Sequence, residues 1–279
     1  MLSPYLGGAL GLVAVPALLM LVISFFRYDA LSTPTWVGWK NFNFIFADPL
    51  TQVAFFNTLF FAVLAVPLRL LVALGLALLY QRERPGAGIY RAFAFLPSIV
   101  PDAAYALLWL WILNPLYGPL NGILRWVGLE APGWLTDYQW AKPGMVLMWT
   151  FQVAEGLVLL LAALKSLPQE TLDAARVDGA NRLNVFGRII LPLIAPWLAL
   201  LAVRDTILSL QSTFAPALLM TGGGPYYATF FVPLLIYEEA FDGLRFGQGM
   251  AAALLLVLAT TALVGLVVWL FQGWGDVED

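Results

Sequence analysis

Five ionisable residues, Arg69, Asp102, Glu155, Arg204 and Asp205, stand inside long apolar runs. A charge at the middle of a bilayer costs about 2.5–3.5 kcal/mol on insertion scales, so such groups pair with one another or face a wet cavity. Either they form buried ion pairs, such as Arg69 with Asp102 or Arg204 with Glu155, or they offer hydrogen bonds along a polar path. Asp102 follows Pro101 in a stretch that also holds Pro97. Prolines free backbone carbonyls, so this helix is expected to break where it lines a cavity. Glu155 follows Gln152 by three residues, which puts both on one face of a continuous helix. Arg204 and Asp205 are neighbours and point about 100° apart on a helix, so they are expected to pair with other helices rather than with each other.

Covalent chemistry has little to work with. The chain has no cysteine and no histidine, which excludes thiolate and imidazole nucleophiles, Cys/His zinc sites, histidine-ligated haem and disulfides. None of Lys40, Lys142 and Lys165 follows a glycine, so no Walker A loop is present. Gly273-Trp274-Gly275-Asp276 together with Tyr28-Asp29 matches the G-x-G-D and Y-D pattern of a membrane aspartyl protease. Two catalytic carboxylates must share a proton at close range, and the charge distribution puts Asp276 and Asp29 on opposite sides of a membrane.

The elements that must carry these residues are membrane helices. Of 279 residues, 61% are hydrophobic and 11% charged, with a mean hydropathy of +0.84. An ordinary soluble domain is roughly 45–50% apolar and about 25% charged, and one core cannot cover this much apolar surface. A soluble enzyme, a disordered chain and a disulfide scaffold are excluded. The net charge of −3 gives no basic face for nucleic acid. Six runs, near 5–26, 54–80, 89–113, 141–164, 192–220 and 249–271, are long enough to cross a ~30 Å core at ~1.5 Å per residue. Lipid admits helices or closed barrels, and the unbroken runs do not alternate as barrel strands do. No Lys or Arg precedes the first run and no small-residue cleavage site follows Phe26, so it is expected to be a retained helix. Connections 81–91 and 165–191 hold Arg82, Arg84, Arg91, Lys165, Arg176, Arg182 and Arg188; the longer connections 27–53, 114–140 and 221–248 hold Arg27, Lys40, Arg125 and Arg245. The excess of positive charge places the first set, and both termini, in the cytoplasm. Trp134, Tyr138 and Trp140 are expected either at the outer headgroup level or in a packed loop. One membrane domain spans 1–279.

The most polar connection, 165–191, is not a plain connector. Pro168 ends the preceding helix. Glu170 to Arg176 carries its acids early and its arginine late, which suits the helix dipole. Ala174, Ala175, Val177 and Ala180 are small or apolar, and Gly179 allows a bend or the close approach of another backbone. Leu183, Phe186, Ile189 and Ile190 recur at near-helical spacing, and Pro192 and Pro196 open the next membrane helix. The pattern predicts a short helix, a bend and a second short helix at the inner surface. It is either an interfacial amphipathic pair or a knob for a groove on a partner protein.

Asp173-Ala174-Ala175, Asp178-Gly179-Ala180, Phe186, Leu191-Pro192 and Pro196 resemble the EAA signature of ABC importer permeases, with Asp173 standing for the usual Glu. Pro97, Pro101, Trp109, Asn114, Gly118, Asn121, Leu124 and Gly128, followed by Trp134-Leu135, resemble a stretch of the maltose-type carbohydrate-uptake permeases. Thr221-Gly222-Gly223-Gly224-Pro225, with Thr229, Tyr237, Phe241 and Gly247, resembles their region before the last helix. This resemblance implies an all-α polytopic fold of six transmembrane helices, an extra first helix plus a five-helix core, in the inner membrane of a prokaryote. It implies a second homologous permease, two cytoplasmic ABC ATPase subunits gripping the 165–191 loop, and an extracytoplasmic solute-binding protein. The chain itself would be no enzyme and bind no cofactor; ATP and Mg would be used by the partner ATPases. Asp173, Ala174, Ala175, Asp178, Gly179, Ala180 and Phe186 would couple to the ATPase.

A sugar needs polar partners and aromatic platforms. Asp102, Glu155, Arg204, Asp205 and Gln211 are candidates for the first, and Tyr105, Trp109 and Trp149 for the second. The alternatives are a permease for a glycerol phosphoester or polyol, and an ion-coupled transporter. The buried acids permit the latter, but it leaves the 173–186 pattern unexplained.

Overall fold

A computed structural model describes residues 7–8, 10–81 and 87–272. The apolar runs fold as helices, and prolines, caps and wide turns decide where they stop or bend. Within the described residues helix α1 covers Leu10–Ile23 and opens on a π-turn over Leu10–Ala14. A small antiparallel ribbon follows, β1 (Phe26–Arg27) against β2 (Thr35–Trp36), with Phe26 opposite Trp36. Helix α2 (Lys40–Ala47) buries Asn41, Phe42 and Ile45 and turns Phe44 and Phe46 outward. Asp48 caps α3 (Pro49–Tyr80) by accepting from Thr51 N at 2.8 Å, with proline in the first turn where no donor is lost.

Helices α4 (Ala87–Ile99) and α5 (Asp102–Ile112) meet at 107°, and α7 (Tyr138–Thr150) meets α8 (Ala154–Lys165) at 51°, with the short α6 (Pro119–Trp126) between the pairs. Then come α9 (Gln169–Val177), α10 (Arg182–Thr221), α11 (Val232–Tyr237) and α12 (Phe246–Gln272).

Helix α3 lies at the centre, packed against α7, α8 and α10, while α12 packs on α1, α2, α10 and α11. One apolar cluster joins Phe61, Trp149, Phe231 and Phe42; a second joins Leu74, Leu157, Leu164, Leu172 and Ile194. A side chain on Gly156 would press on Ala73, which is how α3 and α8 come close. The outward faces carry exposed Leu12, Phe56, Val63, Leu71, Leu266 and Trp269, far more apolar surface than water tolerates on a soluble protein.

Among the described residues, three helices (α3, α10 and α12) are long and apolar enough to cross a membrane, and five crossings result if each bent pair counts as one. The run near 5–26 is described as helix only in part, since residues 1–6 and 9 lie outside the described ones. The break at Pro101 falls where the prolines put it. The break after Thr150 does not follow from the run 141–164. There Phe151 N bonds Met148 O and Gln152 N bonds Trp149 O, both at 3.2 Å, so α7 tightens and stops. Gln152 and Glu155 therefore do not share a continuous helix; Glu155 lies in the first turn of α8. Pro192 stands in the first turn of the regular helical stretch Leu191–Gln211, as expected, whereas Pro196 lies inside it. Helix α10 enters this stretch from Arg182 through a π-turn at Phe186–Ile190, closed by Leu191 N on Phe186 O, which widens the ladder just before the ring that would otherwise clash. Of the aromatics expected outside, Trp134 is packed, with Nε1 donating to Asn121 Oδ1 at 2.7 Å and an edge contact to Trp140; Tyr138 and Trp140 stay exposed.

The first ribbon is pinned to the last helix. Asn41 Nδ2 donates to Ser24 O (2.8 Å) and Phe26 O (2.9 Å), and Gly247 N donates to Tyr28 O. A Cβ on Gly247 would collide with the Phe26 carbonyl. Gly247→Ala is therefore expected to cost about 1–3 kcal/mol, as overpacking does, and to lower the melting temperature of the detergent-solubilised protein by several degrees. Gly265→Ala, which meets nothing, serves as the control.

Candidate functional site

The polar hairpin is built by local rules. Ser166 and Pro168 end α8. Helix α9 turns Leu172 and Ala175 into the bundle and Asp173, Ala174, Val177 and Asp178 outward. It ends on Gly179, whose φ of +77° suits glycine alone among common residues. Asp178 N bonds Ala174 O and Ala180 N bonds Ala175 O, each at 3.0 Å, a Schellman closure of the helix end. Asn181 then caps α10, its Oδ1 accepting from Asn184 N at 2.8 Å.

Of the seven candidates for a partner contact, Asp173, Ala174, Asp178 and Gly179 face outward, and Ala180 is half-buried. Ala175 and Phe186 lean on the bundle instead, Phe186 beside Leu164, Leu172 and Ile194. No atom lies within 4 Å of a Cβ placed on Gly179, so its surroundings are open. The hairpin itself exposes two apolar side chains, Val177 (87%) and Leu183 (81%). Sequence reading noted both only as apolar positions. The phase of the buried face, set by Leu172 and Ala175 at i and i+3, is the signal that separates Val177 from it.

Deeper in the bundle, four charges form a row. Arg69 of α3 and Asp205 of α10 are 6% and 3% exposed, and their side chains approach to 3.7 Å. Arg69 Nη2 also donates to Gln152 O at the α7–α8 break, and its guanidinium lies 4.3 Å from the Trp149 ring centroid. Arg204 Nη1 donates to Asp205 Oδ1 at 2.9 Å, while the Arg204 Nη2 edge pairs with Glu155. Arg69 thus takes Asp205 rather than Asp102 as its partner. Arg204 pairs both across helices and with its own neighbour, because a long guanidinium stem spans the 100° that separates their Cβ atoms.

The Glu155 and Arg204 side chains remain 61% and 32% exposed. Asp102 is exposed in the first turn of α5 and joins no ion pair among the described residues, and Gln211 is exposed near the outer end of α10. The three aromatic candidates are core rather than open platform. Tyr105 Oη donates to Met148 O at 2.9 Å, Trp109 packs between Tyr105 and Phe151, and Trp149 Nε1 donates to Ser212 Oγ at 3.1 Å.

The Thr221–Pro225 turn is a clasp. Gly222 and Gly223 take φ of +57° and +82°, Thr229 Oγ1 donates to Gly224 O at 2.7 Å, and the Thr221 and Thr229 hydroxyls meet at 2.6 Å. Asn57 Nδ2 donates to Tyr227 O and Phe230 O, and Lys142 Nζ donates to Asn57 Oδ1 at 2.9 Å. The Lys142 ammonium also lies over the rings of Phe56, Phe60 and Tyr138. Asn57 escaped sequence reading, which has no means to place a helix residue against a loop this far along the chain.

No group of three or more His, Cys, Asp or Glu that could hold a metal ion occurs among the described residues. Asp276 lies outside them. Asp29 serves a turn: its carboxylate accepts from Ser32 N, Ser32 Oγ and Leu31 N, and these bonds hold it below the ordinary range of an aspartate.

Comparison with known proteins places this arrangement. The family described as binding-protein-dependent transport system inner membrane components matches residues 70–275. A probable ABC transporter permease, YesP of Bacillus subtilis (strain 168), is 33% identical over 271 residues, covering 95% of this chain and 86% of the relative. The sulfoquinovosyl glycerol transport permease SmoG of Agrobacterium fabrum (strain C58) is 29% identical over 248 residues, covering 88% of this chain and 80% of the relative. Among solved structures, a chain of a bacterial alginate ABC transporter in complex with an alginate-loaded periplasmic protein has the same fold. Its TM-score is 0.81 at 23% identity, across 99% of this chain and 94% of that one.

Removing one member of a buried ion pair strands the other, which costs about 3–5 kcal/mol. Arg69→Leu is expected to lose about that much in thermal unfolding of the solubilised protein. Adding Asp205→Leu is expected to restore part of the loss. A double variant that is less stable than Arg69→Leu by the full cost of Asp205→Leu would show that the two side chains do not interact.

Proposed function

We propose, because this chain belongs to the family of binding-protein-dependent transport system inner membrane components, that it forms one half of a two-permease path for a sugar or oligosaccharide across the cytoplasmic membrane. It is a permease subunit of an ABC importer. Its partners are a second homologous permease, two cytoplasmic ATPase subunits and a solute-binding protein on the far side; an alginate transporter of the same fold is known with such a periplasmic protein bound. The chain crosses the membrane six times, with α1, the two bent pairs, α3, α10 and α12 as the crossings, and keeps both ends in the cytoplasm.

One observation carries this reading: the hairpin around Gly179 is closed by its own hydrogen bonds yet offers Val177, Leu183, Ala174 and Asp178 to an outside partner. Small residues on a rigid turn, with two apolar side chains at its edges, suit a groove on a soluble motor protein. Helix α10 then carries motion inward from the turn, through a regular stretch that runs from Leu191 to Gln211. Asp205 on that helix holds Arg69, and Arg69 holds the Gln152 carbonyl at the α7–α8 break. Movement of the hairpin is thereby passed to the point where a spanning segment is already bent.

A sugar is favoured by two features. SmoG is named for transport of a sugar-bearing solute, sulfoquinovosyl glycerol. Glu155, Asp102 and Gln211 stay open for hydroxyl groups.

With its ATPase and binding-protein partners in sealed vesicles, the protein is expected to take up sugar only with ATP. Gly179→Asp is expected to insert normally, yet to lose uptake and solute-stimulated ATP hydrolysis together, since it puts a charged side chain on a left-handed position of the docking turn. Unaltered stimulated hydrolysis in that variant would remove the docking role, and uptake without ATP would favour an ion-coupled transporter. Separately, at least one of Asp102→Asn, Glu155→Gln and Asp205→Asn is expected to shift uptake affinity or rate by about tenfold, the worth of one hydrogen bond to a charged group. Wild-type kinetics in all three would take the acids out of the solute path.

A further inference from the structure

Cations are scarce on the outer side: the connections assigned there carry Arg27, Lys40, Arg125 and Arg245. Three of these four line a single cavity of about 660 Å³ in the seam between the β1–β2 ribbon, α2 and the start of α12. Arg245 is engaged, its Nε and Nη2 donating to the Glu239 carboxylate at 2.6 and 3.0 Å. Arg27 and Lys40 pair with no acid among the described residues, and both are exposed. The lining also holds apolar Val37, Phe44 and Leu244, and Asp29, whose carboxylate is taken up by Leu31 and Ser32 in its own turn.

The rim is aromatic. Trp36 and Trp39 are exposed beside the cavity, and Phe44 and Phe46 point outward from α2. Tryptophan prefers the headgroup level of a bilayer, where one edge is wet and the other apolar. A docked soluble protein would have to cover these rings; a bilayer covers them already. Two free cations beside apolar side chains, at the level where phosphates lie, match the head and upper chains of one lipid.

We propose that this seam binds an anionic phospholipid, with Arg27 and Lys40 on its phosphate and the acyl chains along the outward face of α2. Bound lipid then braces the first helix and ribbon against the last helix, at the joint that Asn41 and Gly247 already fix.

The test counts bound lipid by native mass spectrometry. The full chain in detergent is titrated in parallel with phosphatidylglycerol and phosphatidylcholine. Wild type is expected to retain phosphatidylglycerol in preference. The double substitution Arg27→Gln with Lys40→Gln is expected to lower that retention roughly thirtyfold, at about a factor of five for each surface cation. Arg125→Gln, outside the cavity, is expected to leave it unchanged. The charge-keeping pair Arg27→Lys with Lys40→Arg is expected to retain the lipid, which separates lost charge from lost fold. Equal retention of both lipids by wild type, or unchanged retention in the double variant, overturns the proposal. So does displacement of the lipid by soluble glycerol phosphate at equal concentration, which would assign the seam to a free phosphoester. Weaker capture of a solute-binding protein with lipid retention intact would assign it to protein docking instead.

Discussion

The bundle depends on the guanidinium of Arg69. In lipid, apolar side chains gain nothing from leaving their neighbours for one another, so helices are registered by close packing and by polar links. Arg69 supplies such a link in three directions: the Asp205 carboxylate on α10, the Gln152 carbonyl at the α7–α8 break, and the face of Trp149. A carbonyl freed by a broken helix is intolerable in hydrocarbon unless something donates to it. Arg69 is that donor, so the break and the charge explain each other. With Asp205 in place, the same guanidinium is also the counter-ion that lets an acid sit 3% exposed in the middle of the bundle.

The two ends of the protein are built on different terms. At the hairpin end the turn at Gly179 closes its own backbone hydrogen bonds and leaves Val177 and Leu183 exposed. At the opposite end the polar side chains around the Thr221–Phe230 segment and the Asn121 turn are bound internally. Asn57, Lys142 and Thr229 hold the Thr221–Phe230 segment to α3 and α7, and Asn121 holds the Pro115 and Pro132 carbonyls. That contrast fits a subunit that must be gripped by a separate motor on one side and keep its shape on the other.

Much of this was legible in the residues. The apolar runs located the helices, Pro101 located one break, and the Asp173–Ala180 pattern located the hairpin together with its left-handed glycine. The charge row was found as a set of residues, but Arg69 was offered Asp102 rather than Asp205, because residue types do not say which helices are neighbours, and the break after Thr150 has no proline or glycine to announce it. Pro192 marked the start of a regular helical stretch, but the π-turn that joins this stretch to Arg182–Val185 was not legible, because nothing in composition marks a π-turn. Tyr105, Trp109 and Trp149 are buried in the bundle, and Tyr105 and Trp109 also line a cavity of about 640 Å³; residue type alone shows neither the packing nor the cavity.

The length of α10 has a mechanical corollary. From Arg182 to Thr221 it spans 40 residues, with a turn at Ser212–Thr213 and π-turns near both ends, about 60 Å at ~1.5 Å per residue. Its firmest lateral tether, Asp205, divides it into an inner arm of about 35 Å and an outer arm of about 24 Å. If the tether acts as fulcrum, a displacement at the cytoplasmic tip reappears at the far tip reversed in direction and reduced to roughly two-thirds. Closing one mouth and opening the other would then be a single tilt of one seesaw, with its ratio set by where an aspartate falls along a helix.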